Sequence, residues 1–181
     1  MALEGSIARR YARALLEIGI EHKSYEKLGR ELEVVSSLYR TSKDLQDTLS
    51  NPVFKLSQRK AVLEKLSVRL GLSKSVRHFL LLIMDRRRIG RLPDIAREMS
   101  ALVDQQAGRV RATVVSARPL GEDFALTLRG AIEKRLGKKV ILEKREDPAL
   151  IGGMVTKVGD ILYDGSVRTQ LALAKQRLLS E

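Results

Sequence analysis

Residues 105–116 read Gln105-Gln106-Ala107-Gly108-Arg109-Val110-Arg111-Ala112-Thr113-Val114-Val115-Ser116, and the periodicity of the chain changes inside this stretch. Before Gly108, apolar residues recur every three or four positions, the spacing of an amphipathic helix. After it, Val110, Ala112 and Val114 alternate with Arg111 and Thr113, the spacing of a half-buried strand. The switch divides the chain into a helical part, residues 1–106, and a mixed part, residues 107–181. The expected fold is an N-terminal all-α six-helix bundle followed by a small α+β C-terminal domain.

Upstream of the switch, Ile7, Ala8, Tyr11, Ala14, Leu15 and Ile18 share one face of a first helix, and Leu28, Leu32, Val35, Leu38 and Tyr39 one face of a second. A short third helix, Asp44 to Leu49, stops at Asn51-Pro52, because proline disfavours helix in the residue before it. A fourth, capped by Ser57, is expected to bury Ala61, Val62, Leu66 and Leu70 and to end at Gly71. The fifth opens at Ser73 or Ser75 and runs through Phe79-Leu80-Leu81-Leu82-Ile83-Met84 to the basic run Arg86-Arg87-Arg88. The sixth starts at Pro93, a favoured first-turn residue, and turns Ile95, Met99, Leu102 and Val103 inward. The fifth helix is apolar on every side. It must be covered on every side, either within its own bundle or in part by a helix of another protein.

Downstream, Gly121 to Leu136 reads as a helix with Phe124, Leu128, Ile132 and Leu136 on one face, ended by Gly137. Val140 and Leu142 mark a second strand. Gly152 to Val158 and Ile161 to Tyr163 form two more around the turn Gly159-Asp160. Ser166 caps a last helix with Val167, Leu171, Ala174 and Leu178 inward.

Composition narrows the functional classes. The 44% apolar content suits packed cores, and without cysteine these must hold by packing alone. The longest apolar run, Phe79 to Met84, falls far short of the ~20 residues that cross a bilayer. The start MALEGSIARR lacks the apolar stretch of a signal peptide, so a cytoplasmic setting is expected. A net charge of +12 suits nucleic acid, an anionic membrane surface or an acidic protein. With 4% aromatics and no Trp, the stacking platforms of single-strand binders are missing, so nucleic acid is not an expected partner, and a basic nucleic-acid-binding adaptor stands only as the rival class.

Catalytic patterns are wanting. His22 and His78 stand near the end of one helix and within another, in no triad or metal-ligand spacing. Asp147, Asp160 and Asp164 each neighbour Pro or Gly, where Asp serves turns by accepting from nearby amides. Gly152-Gly153 lacks the Lys-Ser/Thr of a phosphate loop and fits a bulge or a close backbone approach. No catalytic residue, cofactor or metal site is expected, and Gly152, Gly153, Asp164, Gly165 and Ser166 are expected to be structural turns. An uncharacterised hydrolase is a weaker alternative.

The start Ala8-Arg9-Arg10-Tyr11-Ala12-Arg13-Ala14-Leu15, the break Asn51-Pro52-Val53, and the run Phe79 to Leu82 followed by Arg86-Arg87-Arg88-Ile89 and Leu92-Pro93 resemble one known family. So do Asp147-Pro148, Leu150-Ile151-Gly152-Gly153, Gly159-Asp160, Asp164 to Arg168 and Gln170-Leu171. That family is the delta subunit of bacterial and chloroplast ATP synthase, equivalent to the mitochondrial oligomycin sensitivity-conferring protein. Gly121 departs from its usual Ser or Thr cap, and Met154 to Lys157 from a more apolar strand. The resemblance implies a non-catalytic stator subunit, one copy per complex, peripheral to the membrane. The implied side is the cytoplasmic face of the bacterial cell membrane, or a thylakoid for a plastid protein. It implies that the bundle takes the N-terminal helix of an alpha subunit between its first and fifth helices, and that the second domain meets the b-subunit stalk. The groove residues would be Ile7, Tyr11, Ala14, Leu15, Ile18, Val76, Phe79, Leu80 and Ile83.

Overall fold

The computed structural model describes residues 2–159 and 161–179, the side chains of 2–6, 173, 174 and 177–179 excepted. It divides into two compact units between Val103 and Asp104.

The first unit is helical: α1 (Ala2–Glu21), α2 (Tyr25–Thr41), α3 (Lys43–Ser50), α4 (Leu56–Arg69), α5 (Lys74–Asp85) and α6 (Leu92–Gln106), with the division inside α6. Serine side chains cap two of these helices. Ser42 Oγ accepts from the Leu45 amide (3.2 Å) and Ser73 Oγ from the Val76 amide (3.4 Å), each satisfying a donor that the helix itself cannot. Glu31 of α2 reaches the start of α5, where its Oε2 accepts from both the Ser73 amide (2.8 Å) and the Ser73 hydroxyl (2.7 Å). A carboxylate there also suits the positive end of the helix dipole, and it ties α5 to α2. Leu15, Leu28, Leu32, Leu49, Leu63, Leu80, Ile95 and Met99, drawn from all six helices, are buried in one cluster. Gly19 lets α1 turn tightly into α2, since a Cβ there would stand 2.6 Å from the Tyr25 Cα.

Two expectations for α4 are corrected. Lys55, not Ser57, is its cap residue, and the Gln58 side chain accepts from the Lys55 amide (3.0 Å), so the helix starts earlier. Its inward line is Leu63 and Ser67 flanked by Leu66 and Leu70, while Ala61 and Val62 face solvent. The buried Ser67 hides this line in the sequence. Its hydroxyl donates to the Leu63 carbonyl (2.7 Å), so burial leaves it no unmet bond.

The second unit carries β1 (Arg109–Ser116), α7 (Glu122–Leu136), β2 (Lys139–Glu146), β3 (Met154–Val158), β4 (Ile161–Asp164) and α8 (Val167–Leu179). The sheet order is β2-β1-β3-β4, with β1 parallel to β2 and the other pairs antiparallel. Ala112, Val140 and Val158 form a small core against Ile132 and Leu136. Asp104 enters this unit as a buried carboxylate. Arg111 donates to it (2.8 Å) and to Glu143 (2.7 Å), joining β1 to β2 and holding the guanidinium above its ordinary pKa, chiefly through the Asp104 hydrogen bond.

The expected inward faces of α7 and α8 are only partly inward. Phe124 is 48% exposed and Ala125 is the buried residue of that turn. A four-residue repeat drifts about 40° per step around a 3.6-residue helix, so Phe124 leaves the line that Ile132 and Leu136 define. Leu171 is 57% exposed, whereas Val167, at the first turn of α8, packs on Gly152. Ala174 and Leu178 lie outside the described side chains, and Asp160 outside the described residues.

Asp164 begins α8. Its Oδ1 accepts from the Ser166 amide (2.9 Å) and its Oδ2 from the Thr169 hydroxyl (2.8 Å), while Ser166 Oγ accepts from the Thr169 amide (3.2 Å). The Ser166 amide above all, then the Thr169 hydroxyl, holds the Asp164 pKa below its ordinary value. A depressed carboxylate stabilises the fold above its unfolded pKa, and that stabilisation is lost as pH falls through the lowered one. A carboxyl-carbon NMR titration should therefore place the Asp164 midpoint below the ordinary carboxylate range. Thr169→Val should move it back up.

Candidate functional site

The apolar positions of α1 do not all point into the core. Ala8, Ala12, Leu15 and Leu16 are buried, while Ala14 and Ile18, on the flank of that stripe, are exposed; Ile18 is 41% exposed. On α5 the inward line is Val76, Phe79, Leu80, Ile83 and Met84, and Leu82 is 46% exposed. The two flanks border a groove of about 810 Å³. The α1 wall is Arg10, Tyr11, Ala14, Leu15, Ile18, Glu21 and His22, and the other wall is Ser75, His78, Phe79, Leu82 and Arg88. Tyr11 and Phe79 meet edge to face across its floor, ring centroids 6.2 Å apart at 72°. At the Tyr11 end, Arg88 Nη1 donates to the Tyr11 hydroxyl (3.2 Å) and its guanidinium lies 5.5 Å from the ring centroid.

Of the nine expected groove residues, the structure brings together Tyr11, Ala14, Leu15, Ile18 and Phe79. Val76, Leu80 and Ile83 do not line it. They lie in the core with no exposure, and Ile7 is half-buried outside the lining. Successive residues on a helix are 100° apart, so the line 76, 80, 83 faces inward and the line 75, 78, 82 beside it faces the groove. Sequence reasoning missed Arg10, Glu21, His22, Ser75, His78, Leu82 and Arg88. The spacing 75, 78, 82 was available as a signal, but Ser75 reads as a helix start and His78 as ordinary surface.

The turn residues of the second unit also converge. Gly153 has φ 76°, and a Cβ on it would stand 2.3 Å from the Gly165 carbonyl oxygen. The Gly165 amide donates to the Met154 carbonyl (2.9 Å) and the Val167 amide to the Gly152 carbonyl (3.0 Å), so the start of β3 and the start of α8 are laced together. Beside them β4 is an edge strand whose Ile161, Leu162 and Tyr163 are all exposed, as are Leu126 and Ile151 elsewhere on the unit.

Comparison with known proteins gives these geometries a setting. The family model described as ATP synthase delta (OSCP) subunit matches residues 7–178. The chain is similar to the ATP synthase subunit delta of Trichlorobacter lovleyi, 39% identical over 170 residues covering 94% of each chain. It is also similar to that of Anaeromyxobacter dehalogenans, 43% identical over 169 residues covering 93% of this chain and 94% of the relative. In fold it resembles a chain of the Toxoplasma gondii mitochondrial ATP synthase hexamer. The TM-score there is 0.75, with 22% identity over 95% of this chain and 97% of that one.

Proposed function

The chain belongs to the ATP synthase delta (OSCP) subunit family, and on that premise we propose that it clamps the catalytic headpiece of the rotary ATP synthase to the peripheral stalk. Its part in that assembly is structural, a stator component without chemistry of its own. Helices α1 to α6 act as one six-helix bundle that receives the N-terminal helix of an alpha subunit. The second unit takes the C-terminal region of the b-subunit stalk, one copy of the clamp serving each complex. No described helix is long and apolar enough to cross a membrane, so attachment to the cytoplasmic face of the cell membrane, or to a thylakoid, comes through the complex.

The observation that carries this reading is the open apolar groove along α1 and α5, in which Tyr11, Ala14, Ile18, Phe79 and Leu82 offer a stripe to a partner. A helix laying one apolar face there buries several anchors at once, each worth ~1 to 3 kcal/mol. Rotation loads such a joint on every cycle, and apolar anchors act mainly by slowing dissociation. The exposed apolar residues of β4 support stalk docking in the same way, because an unpaired strand edge with an apolar surface favours association.

The test uses the full chain and a peptide matching the N-terminal helix of the alpha subunit of the same synthase. Ile18→Asp or Leu82→Asp should weaken binding by roughly 30-fold or more, since each puts a charge among apolar anchors. Both positions are part-exposed, so circular dichroism should show an unchanged fold. Unchanged affinity would place the clamp surface elsewhere.

A further inference from the structure

We propose that Arg88, with Arg10 beside it, is the specificity-determining element of the α1/α5 groove: it takes a carboxylate from the incoming helix and so fixes which end of that helix lies beside Tyr11. This rests on the groove being a helix site.

An apolar floor alone sets register poorly. An amphipathic helix repeats its stripe every three to four residues, so a slip of one turn, about 5.4 Å, presents a similar face. A polar mark at one end removes that degeneracy, as single polar positions do in paired helices.

Ser75 and His78 apart, which stand along the α5 wall, the polar residues of this groove lie at its ends. Arg10 adjoins Tyr11, to which Arg88 is hydrogen-bonded; Glu21 and His22 stand at the other end of the α1 wall, some 16 Å along the helix. Among the described residues no carboxylate pairs with Arg10 or Arg88, whereas Arg40, Arg97 and Arg111 each hold one. A guanidinium has five N–H donors in a planar fork that matches a carboxylate, and Arg88 commits one of its groups to Tyr11.

Arg88 is also held in place before any partner arrives. The chain leaves α5 through Arg87 at φ 55°, a left-handed conformation, and the Arg88 amide donates to the Ile83 carbonyl (2.7 Å). With the guanidinium resting on the Tyr11 ring, little side-chain freedom remains to be lost on binding. Glu21 supplies the opposite preference at the far end, where it repels a carboxylate. The partner is therefore an amphipathic helix with an acidic residue beside one end of its apolar stripe.

The experiment is a double-mutant cycle by calorimetry, on the full chain, with the alpha-subunit N-terminal peptide and variants of it in which each acidic residue in turn is made an amide. Arg88→Gln should weaken binding about tenfold, and more at low salt than at high. That loss should vanish against one particular amide variant and persist against the rest, and Arg88→Lys should restore part of the affinity. An unchanged affinity, or the same loss against every peptide, would make Arg88 only a support for Tyr11 and overturn the proposal. If the peptide fails to bind the unaltered protein, the groove reading itself falls with it, a result distinct from binding without coupling.

Discussion

Gly153→Val is expected to unfold the second unit. Gly153 sits at φ 76°, where a β-branched side chain is strained before any contact is counted. Its Cβ would then meet the Gly165 carbonyl oxygen at 2.3 Å and the Ser166 Cα at 3.1 Å, and these are backbone atoms that no rotamer change can move. Relief requires β3 and α8 to part, which breaks the hydrogen bonds from Gly165 to Met154 and from Val167 to Gly152 at ~1 kcal/mol each. With strain and clash the cost should exceed ~4 kcal/mol, against a usual total of ~5 to 15 for a domain. The core that must bear this is small, with Ala112, Val140 and Val158 at its centre. NMR spectra should lose the dispersed resonances of the sheet while keeping those of α1 to α5. Alpha-peptide binding should persist while stalk attachment fails. A useful contrast is Gly137→Ala, at φ 64° with no atom near its Cβ position, for which only ~1 kcal/mol is expected. A Gly153→Val protein whose sheet stays intact would show that the two segments are not locked as described.

Leu80→Ala should cost 2 to 5 kcal/mol of stability, whereas Leu82→Ala two positions on should cost under about 1. Leu80 has no exposure and lies in the cluster shared by six helices, so its truncation leaves a cavity that neighbours can only partly fill. Leu82, at 46% exposure, gives up little on truncation in the free protein. Urea titrations should show a lower midpoint for Leu80→Ala with an unchanged slope. The two variants also part in function: Leu82→Ala should weaken the alpha peptide, and Leu80→Ala should do so only through loss of fold. Equal stability losses would mean that the inward and groove-facing lines of α5 have been wrongly separated.

This pair shows how far the sequence carried the site. The run Phe79 to Met84 announced a helix needing cover on all sides, and Val76, Phe79, Leu80 and Ile83 could equally have belonged to core or partner. Tyr11, Ala14, Leu15, Ile18 and Phe79 came from the resemblance and do line one groove. Val76, Leu80 and Ile83 came the same way and lie in the core, because a stripe's pattern reports apolarity and not the 100° rotation that separates a wall from its neighbour. Arg88 was read as one of a basic run. Its place on Tyr11, 77 residues away in the chain, depends on tertiary packing that no local spacing encodes. The helix-to-strand switch at Gly108 was legible because two periods, 3.6 and 2, meet there without overlap. On α4 the inward line was missed since one of its members is Ser67, a polar letter made apolar in effect by its bond to Leu63.

The sheet order has a consequence for how the chain is made. Strand β1 leaves the ribosome first of the four, yet it occupies an inner place, between β2 and β3. Its parallel partner arrives late, since Arg109 pairs with Lys139, and its antiparallel one later still, since Ala112 pairs with Val158. At roughly 5 to 20 residues per second, β1 waits on the order of 2 to 6 s for its first neighbour. During that wait the first unit has every residue it needs, while a strand carrying Val110, Val114 and Val115 trails behind it with both edges bare. Arg109 and Arg111 ride on that strand, and if two copies paired edge to edge these like charges would face one another. Nascent chains side by side on one messenger thus present each other with strands that repel, and β1 is kept for its own sheet.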